Sequence, residues 1–188
     1  MGVLSDVQIR ERLTQDLEVE PMEDPDLQIQ PSSIDLRLGR EVKAFESDVT
    51  RITPDMDLGE SMVEKTYKGG DTIPVHRWDF LLIPCEEWIE IPDDLQGQVT
   101  GRSSIGRMGI EVHSTAGLID PGFQGQIVLE VSNNAPMTVE LQPGMRIAQL
   151  VLHDMGEPTK DPYGSRADSK YQRQTGAQES LSREDTDV

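Results

Sequence analysis

The sequence predicts a mainly β fold, a barrel or sandwich of short strands preceded by one short N-terminal helix. From Thr72 onward, apolar and polar residues alternate in short runs punctuated by glycine, proline and aspartate turns. Helical spacing of apolar residues is confined to the start of the chain. The length of 188 residues suits a single domain able to bury its own core.

Residues 5–17 read as the helix. Ser5 can cap it, Gln8 completes a capping box, and Ile9, Leu13 and Leu17 form an apolar stripe. Pro21 and Pro25 stop helical structure. Residues 34–38 alternate as a half-buried strand does, and Gly39 follows. Residues 46–72 are acidic and mixed, a loop-rich excursion with a turn at Gly69-Gly70. Further strands are expected at 80–84, 88–91, 97–100, 109–113, 126–132, 138–141 and 146–152. Beyond Leu152 the periodicity fades, and the polar stretch 177–188 is expected to be disordered. No internal repeat is present.

The chain carries 35 acidic residues against 17 basic ones, a formal charge of −18, with five lysines and twelve arginines. Such a surface repels nucleic-acid polymers and anionic membranes, so neither is an expected partner. An anion site here must concentrate positive charge locally, which singles out Arg102 and Arg107. The acidic, lysine-poor composition reads as adaptation to a high-salt cytoplasm, with an ordinary acidic protein as the competing reading. No apolar run approaches the roughly 20 residues of a membrane span, and the start lacks a signal-peptide pattern. The chain therefore reads as cytoplasmic. Its one cysteine, Cys85, leaves no internal disulfide and no multi-cysteine metal site.

Two stretches carry chemistry. Residues 101–109 (GRSSIGRMG) interleave glycines with two arginines and two hydroxyls, which suits a loop gripping a polyanion. Residues 114–130 (STAGLIDPGFQGQIVLE) set Asp120 in a glycine-punctuated turn, then place Glu130 in an apolar strand. Partial burial there would raise the Glu130 pKa toward the range of a proton shuttle. A strand glutamate is more often solvated, and an aspartate before Pro121-Gly122 is more often a turn residue. Together the two stretches suggest a phosphate clamp beside a proton-transfer group, and hence nucleotide chemistry.

Five ordered runs, 31–39 (PSSIDLRLG), 101–107, 115–123, 127–130 and 143–150 (PGMRIAQL), resemble the dCTP deaminase family of the dUTPase-like trimeric superfamily. The tail 162–176 (PYGSRADSKYQRQTG) resembles that family's C-terminal segment. The resemblance implies one domain over residues 1–176, with a lid at about 158–176. It implies a dUTPase-like distorted, jelly-roll-like β-barrel and a homotrimer with active sites between neighbouring chains. The implied substrate is dCTP, with dUTP and dTTP as further ligands. Mg²⁺ would ride on the phosphates, with no protein side chain as metal ligand.

Zinc deaminases mark their site with H-x-E and P-C-x-x-C. One cysteine and three scattered histidines (His76, His113, His153) do not build that site, so no zinc is expected. By resemblance, Glu130 moves protons, while Ser103 and Arg107 help position it and the attacking water. The implied substrate-binding set is Arg102, Ser103, Ser104, Ile105, Gly106, Arg107, Ala116, Asp120, Val128, Leu129, Glu130, Gln149, Tyr163, Lys170 and Gln174. Ala116 would offer backbone contacts, and Asp120 would hold the sugar 3′-hydroxyl. Tyr163, Lys170 and Gln174 would fold over the substrate. Gln149 also reads as a plain strand residue. His113 is expected to pack or hydrogen-bond, and Cys85, Trp78 and Trp88 to lie in the core or a trimer interface.

Gly117-Leu118 stands where bacterial deaminases of this family carry a bulky basic pair, and so resembles the dUMP-forming subgroup. Glycine there would leave room for water to reach the α-phosphate. The readings in play are a dUMP-forming deaminase, a deaminase stopping at dUTP, a dUTP diphosphatase, and a non-catalytic nucleotide-binding trimer.

Overall fold

The structure, a computed structural model, describes residues 2–115 and 117–185. The first half holds β1 (Gly2–Val3), α1 (Asp6–Leu13), β2 (Glu18–Glu20), α2 (Pro25–Gln28), β3 (Ile29–Gln30), β4 (Ser33–Arg37), β5 (Glu41–Phe45), β6 (Met62–Thr66) and β7 (Ile73–Val75). It continues with β8 (Phe80–Glu90), β9 (Leu95–Gly101), α3 (Ser103–Gly106), β10 (Ile110–Glu111), β11 (Leu118–Ile119), β12 (Gln124–Asn133), β13 (Val139–Leu141) and β14 (Arg146–Asp154). One sheet runs β11-β9-β14-β4-β3 with β1 on β14; the other runs β10-β12-β8-β5-β6 with β2 on β8. A small β13-β7 pair completes the fold. Among the described residues the sheets do not close into a barrel; they face each other across one apolar core. No helix among the described residues is long and apolar enough to cross a membrane.

The capping box forms as expected: Ser5 accepts from the Gln8 N–H and the Gln8 side chain accepts from the Ser5 N–H, an arrangement that contributes about 1 kcal/mol. The helix stops at Leu13, four residues earlier than the apolar spacing suggests. The Thr14 N–H and hydroxyl both turn onto the Glu11 carbonyl, and the N–H groups of Gln15, Asp16 and Leu17 crowd onto that of Arg12. That tight end drops Leu17 into the core and aims β2 at β8. Pro25 starts a helical turn rather than ending one. Its missing N–H is unneeded in a first turn, and Asp24 caps it through the Leu27 N–H.

Two strand expectations change because carboxylates are buried. The stretches 80–84 and 88–91 are one strand, β8, running through Cys85 and Glu87 in the interior. Burial holds the Cys85 thiol well above its ordinary pKa. The strand expected at 109–113 shortens to β10, while those around 97, 126 and 146 extend by a residue or more at their ends. The expected half-buried strand, β4, is buried on both faces. Ile34 and Leu36 enter the core, while Ser33, Asp35 and Arg37 face a polar layer. There Arg37 Nε donates to Glu87 at 2.7 Å, its backbone N–H donates to the same carboxylate at 2.9 Å, and Gln28 donates to it at 3.1 Å. Burial pushes the Glu87 carboxyl above its ordinary range, against the pull of Arg37.

The sheets are stitched where Leu38 bridges Cys85 and the Gly39 N–H meets the Pro84 carbonyl at 2.8 Å. A Cβ on Gly39 would stand 2.4 Å from that oxygen, so only glycine permits the approach. Residues 46–72 are not all loop, since β6 returns to pair with β5.

Arg37→Leu strands a buried Glu87, and the denaturant midpoint is expected to fall by the equivalent of about 3–5 kcal/mol. The Arg37→Met/Glu87→Met pair recovers most of that loss.

Candidate active site

Along β12 burial alternates strictly: Ile127, Leu129 and Val131 point into the core, and Val128 and Glu130 point the other way. Leu129, in the expected substrate-binding set, is therefore a core residue. Two-residue periodicity makes Glu130 a neighbour of apolar side chains without belonging to their core. Its face is lined by a second apolar cluster built from Met62, Leu82 and Ala177, with Phe45 and Val128 packed against it.

The chain after β10 completes the carboxylate's surroundings. β10 pairs with β12, and the Glu130 N–H donates to the Val112 carbonyl at 3.1 Å, so the following loop is held alongside. Its turn presents the Ser114 N–H at 2.7 Å and the Thr115 N–H at 3.3 Å to Glu130 Oε2. Charge-assisted bonds of this kind fix a carboxylate's direction as well as stabilising it.

Glu130 opens into a cavity of about 950 Å³. Phe45, Met62, Phe80, Leu82 and Val128 form its floor; Leu118, Asp120 and Phe123 form one wall; Tyr163, Tyr171 and Gln174 close over it. The Asp120 carbonyl accepts from the Phe123 N–H in the expected turn, which leaves its exposed carboxylate at the cavity. The Tyr163 ring packs on Phe123 with centroids 6.0 Å apart, and its hydroxyl accepts from the Tyr171 N–H. Burial pushes the Tyr163 phenol up. Gln174 Nε2 donates to the Gln126 carbonyl at 2.8 Å, and the Gln126 N–H donates back to the Gln174 carbonyl at 3.0 Å. The segment around Gln174 is thereby tied to β12 beside its bulge.

Residues 177–185, expected to be disordered, continue this cover. Ala177 is buried, Lys43 meets Glu179 at 2.5 Å, and the Ser182 hydroxyl donates to the Pro54 carbonyl at 2.7 Å. Arg183 pairs with Asp57, and Lys170 with Asp185. The remaining tail, 186–188, lies outside the described residues, as does Ala116.

The second group of expected residues lies apart from this cavity. Ser103, Ser104, Gly106 and Arg107 are exposed on α3 and its end, and Ile105 is its buried anchor. Arg102 pairs with Asp35 at 3.2 Å and donates to the Arg146 carbonyl at 3.2 Å. Gln149 donates to Ser33 and to Asp35, each at 3.1 Å, so its structural reading holds within one chain. None of these residues lines the Glu130 cavity. Trp78 is 68% exposed, so within this chain it is not core, whereas Cys85 is. His113 Nδ1 is buried without a hydrogen bond among the described residues. Among those residues no group of three or more His, Cys, Asp or Glu is placed to hold a metal ion.

Sequence reasoning missed the apolar floor, the Ser114 and Thr115 N–H pair, Tyr171, and Asp35. The signal for Asp35 was present: it sits in the run 31–39, at a strand position read as solvated.

A family described as dCTP deaminase-like matches residues 3–155. A dCTP deaminase of Natronomonas pharaonis is 49% identical, across 95% of this chain and 93% of its own length. A relative in Halobacterium salinarum named dCTP deaminase, dUMP-forming is 46% identical, across 97% and 96%. Among solved structures, the 2′-deoxycytidine 5′-triphosphate deaminase of Agrobacterium tumefaciens superposes with a TM-score of 0.65 at 24% identity. The match spans 81% of this chain but 48% of that one. At that identity the likeness establishes the fold.

A Cβ on Gly117 would stand 3.1 Å from the Val99 carbonyl, whose own N–H donates to the Gly117 carbonyl at 2.7 Å. Gly117→Val is expected to overpack this contact and cost about 1–3 kcal/mol in thermal unfolding. Gly69→Val, at a site with no atom within 4 Å of the added carbon, changes it little.

Proposed function

The chain belongs to the dCTP deaminase-like family, and on that footing we propose that it converts dCTP to dUMP, ammonia and diphosphate. The observation that carries this reading is the Glu130 carboxylate, gripped by two backbone N–H groups at the edge of an apolar cavity.

In the first step a water adds to C4 of the cytosine and gives its proton to Glu130, which passes it to N3. The hydroxyl proton of the adduct then travels by the same carboxylate to the exocyclic nitrogen. The C4–N bond breaks, ammonia leaves and the C4 carbonyl forms. A carboxylate held in one direction at the reacting ring suits such a relay, since general acid–base catalysis depends first on geometry. Apolar walls provide a surface for the pyrimidine face and keep bulk water off the ring. In the second step another water attacks the α-phosphorus, and diphosphate departs. Asp120, exposed at the cavity wall, is suited to hold the sugar 3′-hydroxyl and orient that water. The Gly117-Leu118 pair, which resembles the dUMP-forming subgroup, supports this second step.

The phosphates need cations, and the cavity of a single chain offers none at its floor. Arg102, Ser103, Ser104 and Arg107 form a run of cations, hydroxyls and helix N–H groups suited to a triphosphate, and they lie elsewhere on the chain. A homotrimer in which α3 of one copy closes the cavity of the next unites the two halves. Magnesium belongs to the substrate, bound through phosphate oxygens and water. A clamp of guanidinium and hydroxyl groups fits a phosphate already carrying that ion. Lys170 would exchange Asp185 for the phosphates when substrate binds.

Arrest at dUTP is the second reading, favoured by the Natronomonas relative named simply dCTP deaminase. Incubation with dCTP and Mg²⁺ in concentrated KCl is expected to yield dUMP and diphosphate in step with ammonia. Lasting dUTP without diphosphate refutes the second step. Glu130→Gln is expected to lower ammonia release by about 10²–10⁴-fold while dCTP binding, read by calorimetry, is retained.

A further inference from the structure

We propose that Asp35 is the positioning residue of the phosphate clamp, a buried carboxylate that fixes the Arg102 guanidinium with its free edge turned toward a phosphate oxygen. This rests on the reading of α3 as the clamp.

Asp35 stands on β4 with its side chain fully buried. Its Oδ2 takes Arg146 Nη1 at 2.8 Å and lies 3.2 Å from Arg102 Nε, while Oδ1 accepts from Gln149 Nε2 at 3.1 Å. Arg102 has a second anchor, since its Nη1 donates to the Arg146 carbonyl at 3.2 Å. Its backbone is fixed as well: the N–H donates to the Ile147 carbonyl, and the residue caps α3 in an extended conformation. Nη1 is thus hydrogen-bonded and Nε ion-paired on the protein side. Nη2 makes no hydrogen bond among the described residues, on a side chain 26% exposed.

A guanidinium is a rigid planar fork, so tying two of its nitrogens sets the direction of the third. The charge count points the same way. One carboxylate faces two guanidiniums, leaving a local positive surplus in a chain of net charge −18. A purely structural pair would balance. Arg146, 25% exposed, commits its Nη1 to Asp35 and the Leu27 carbonyl, and Gln149 is held by Asp35 and Ser33. Arg102 is the member of the cluster adjoining the exposed hydroxyls of Ser103 and Ser104.

The test is calorimetric binding of dCTP with Mg²⁺ in concentrated KCl, in the full chain carrying Glu130→Gln so that substrate persists. Arg102→Gln and Asp35→Asn are each expected to weaken binding about tenfold or more, the scale of a hydrogen bond to a charged group. The double variant is expected to be no weaker than the poorer single one, because both changes remove the same contact. Multiplying losses would mean Asp35 acts independently of Arg102 and would overturn the proposal.

Arg102→Lys keeps the charge but not the fork, and is expected to bind as poorly as Arg102→Gln. Wild-type affinity in that variant overturns the proposal even where Asp35→Asn fails to fold. Unchanged affinity in Arg102→Gln removes the clamp reading itself, a result distinct from independence of the two residues.

Discussion

The N–H groups of Ser114 and Thr115 hold the Glu130 carboxylate on the face of β12 that the main core does not use, and the candidate site is arranged around that grip. Were β12 displaced by one residue, Glu130 would enter the core and Leu129 would line the cavity. Pairing with β8 and β10 fixes the register, and beside the bulge between Gln126 and Val128 the Gln174 side chain bonds to the strand. The same ladder that builds the sheet therefore aims the Glu130 carboxylate.

Charge is the second organising constraint. With acidic residues outnumbering basic ones about two to one, the structure spends its arginines on particular carboxylates. Arg12 pins α1 to Asp94, Arg37 meets the buried Glu87, and Arg102 and Arg146 share Asp35. The exposed pairs contribute little in concentrated salt. The buried ones are screened far less. An anionic ligand then meets positive charge only where arginines are held at the surface, as on α3.

Much of the fold was legible because local pattern and tertiary packing agree. The capping box, the strand around Gln126–Ser132 and the strand around Arg146–Leu152 all formed, since alternation with one apolar face leaves a single way to bury it. Misreadings fell where a charged residue was buried. Asp35, Arg37 and Glu87 look solvated in sequence, and partners distant in the chain, such as Glu87 for Arg37 and Arg146 for Asp35, make their burial tolerable.

The sequence by itself determined the β class, the placement of Glu130 on an apolar strand and the resemblance that led to the family. Each is written in residue order within a short window. Only the tertiary structure decided that Glu130 and α3 do not share a cavity within one chain, that Gln149 bonds to Asp35, and that the acidic tail lines the pocket. Those facts depend on which distant segments meet, and that is set by sheet pairing and by the need to pair every buried charge.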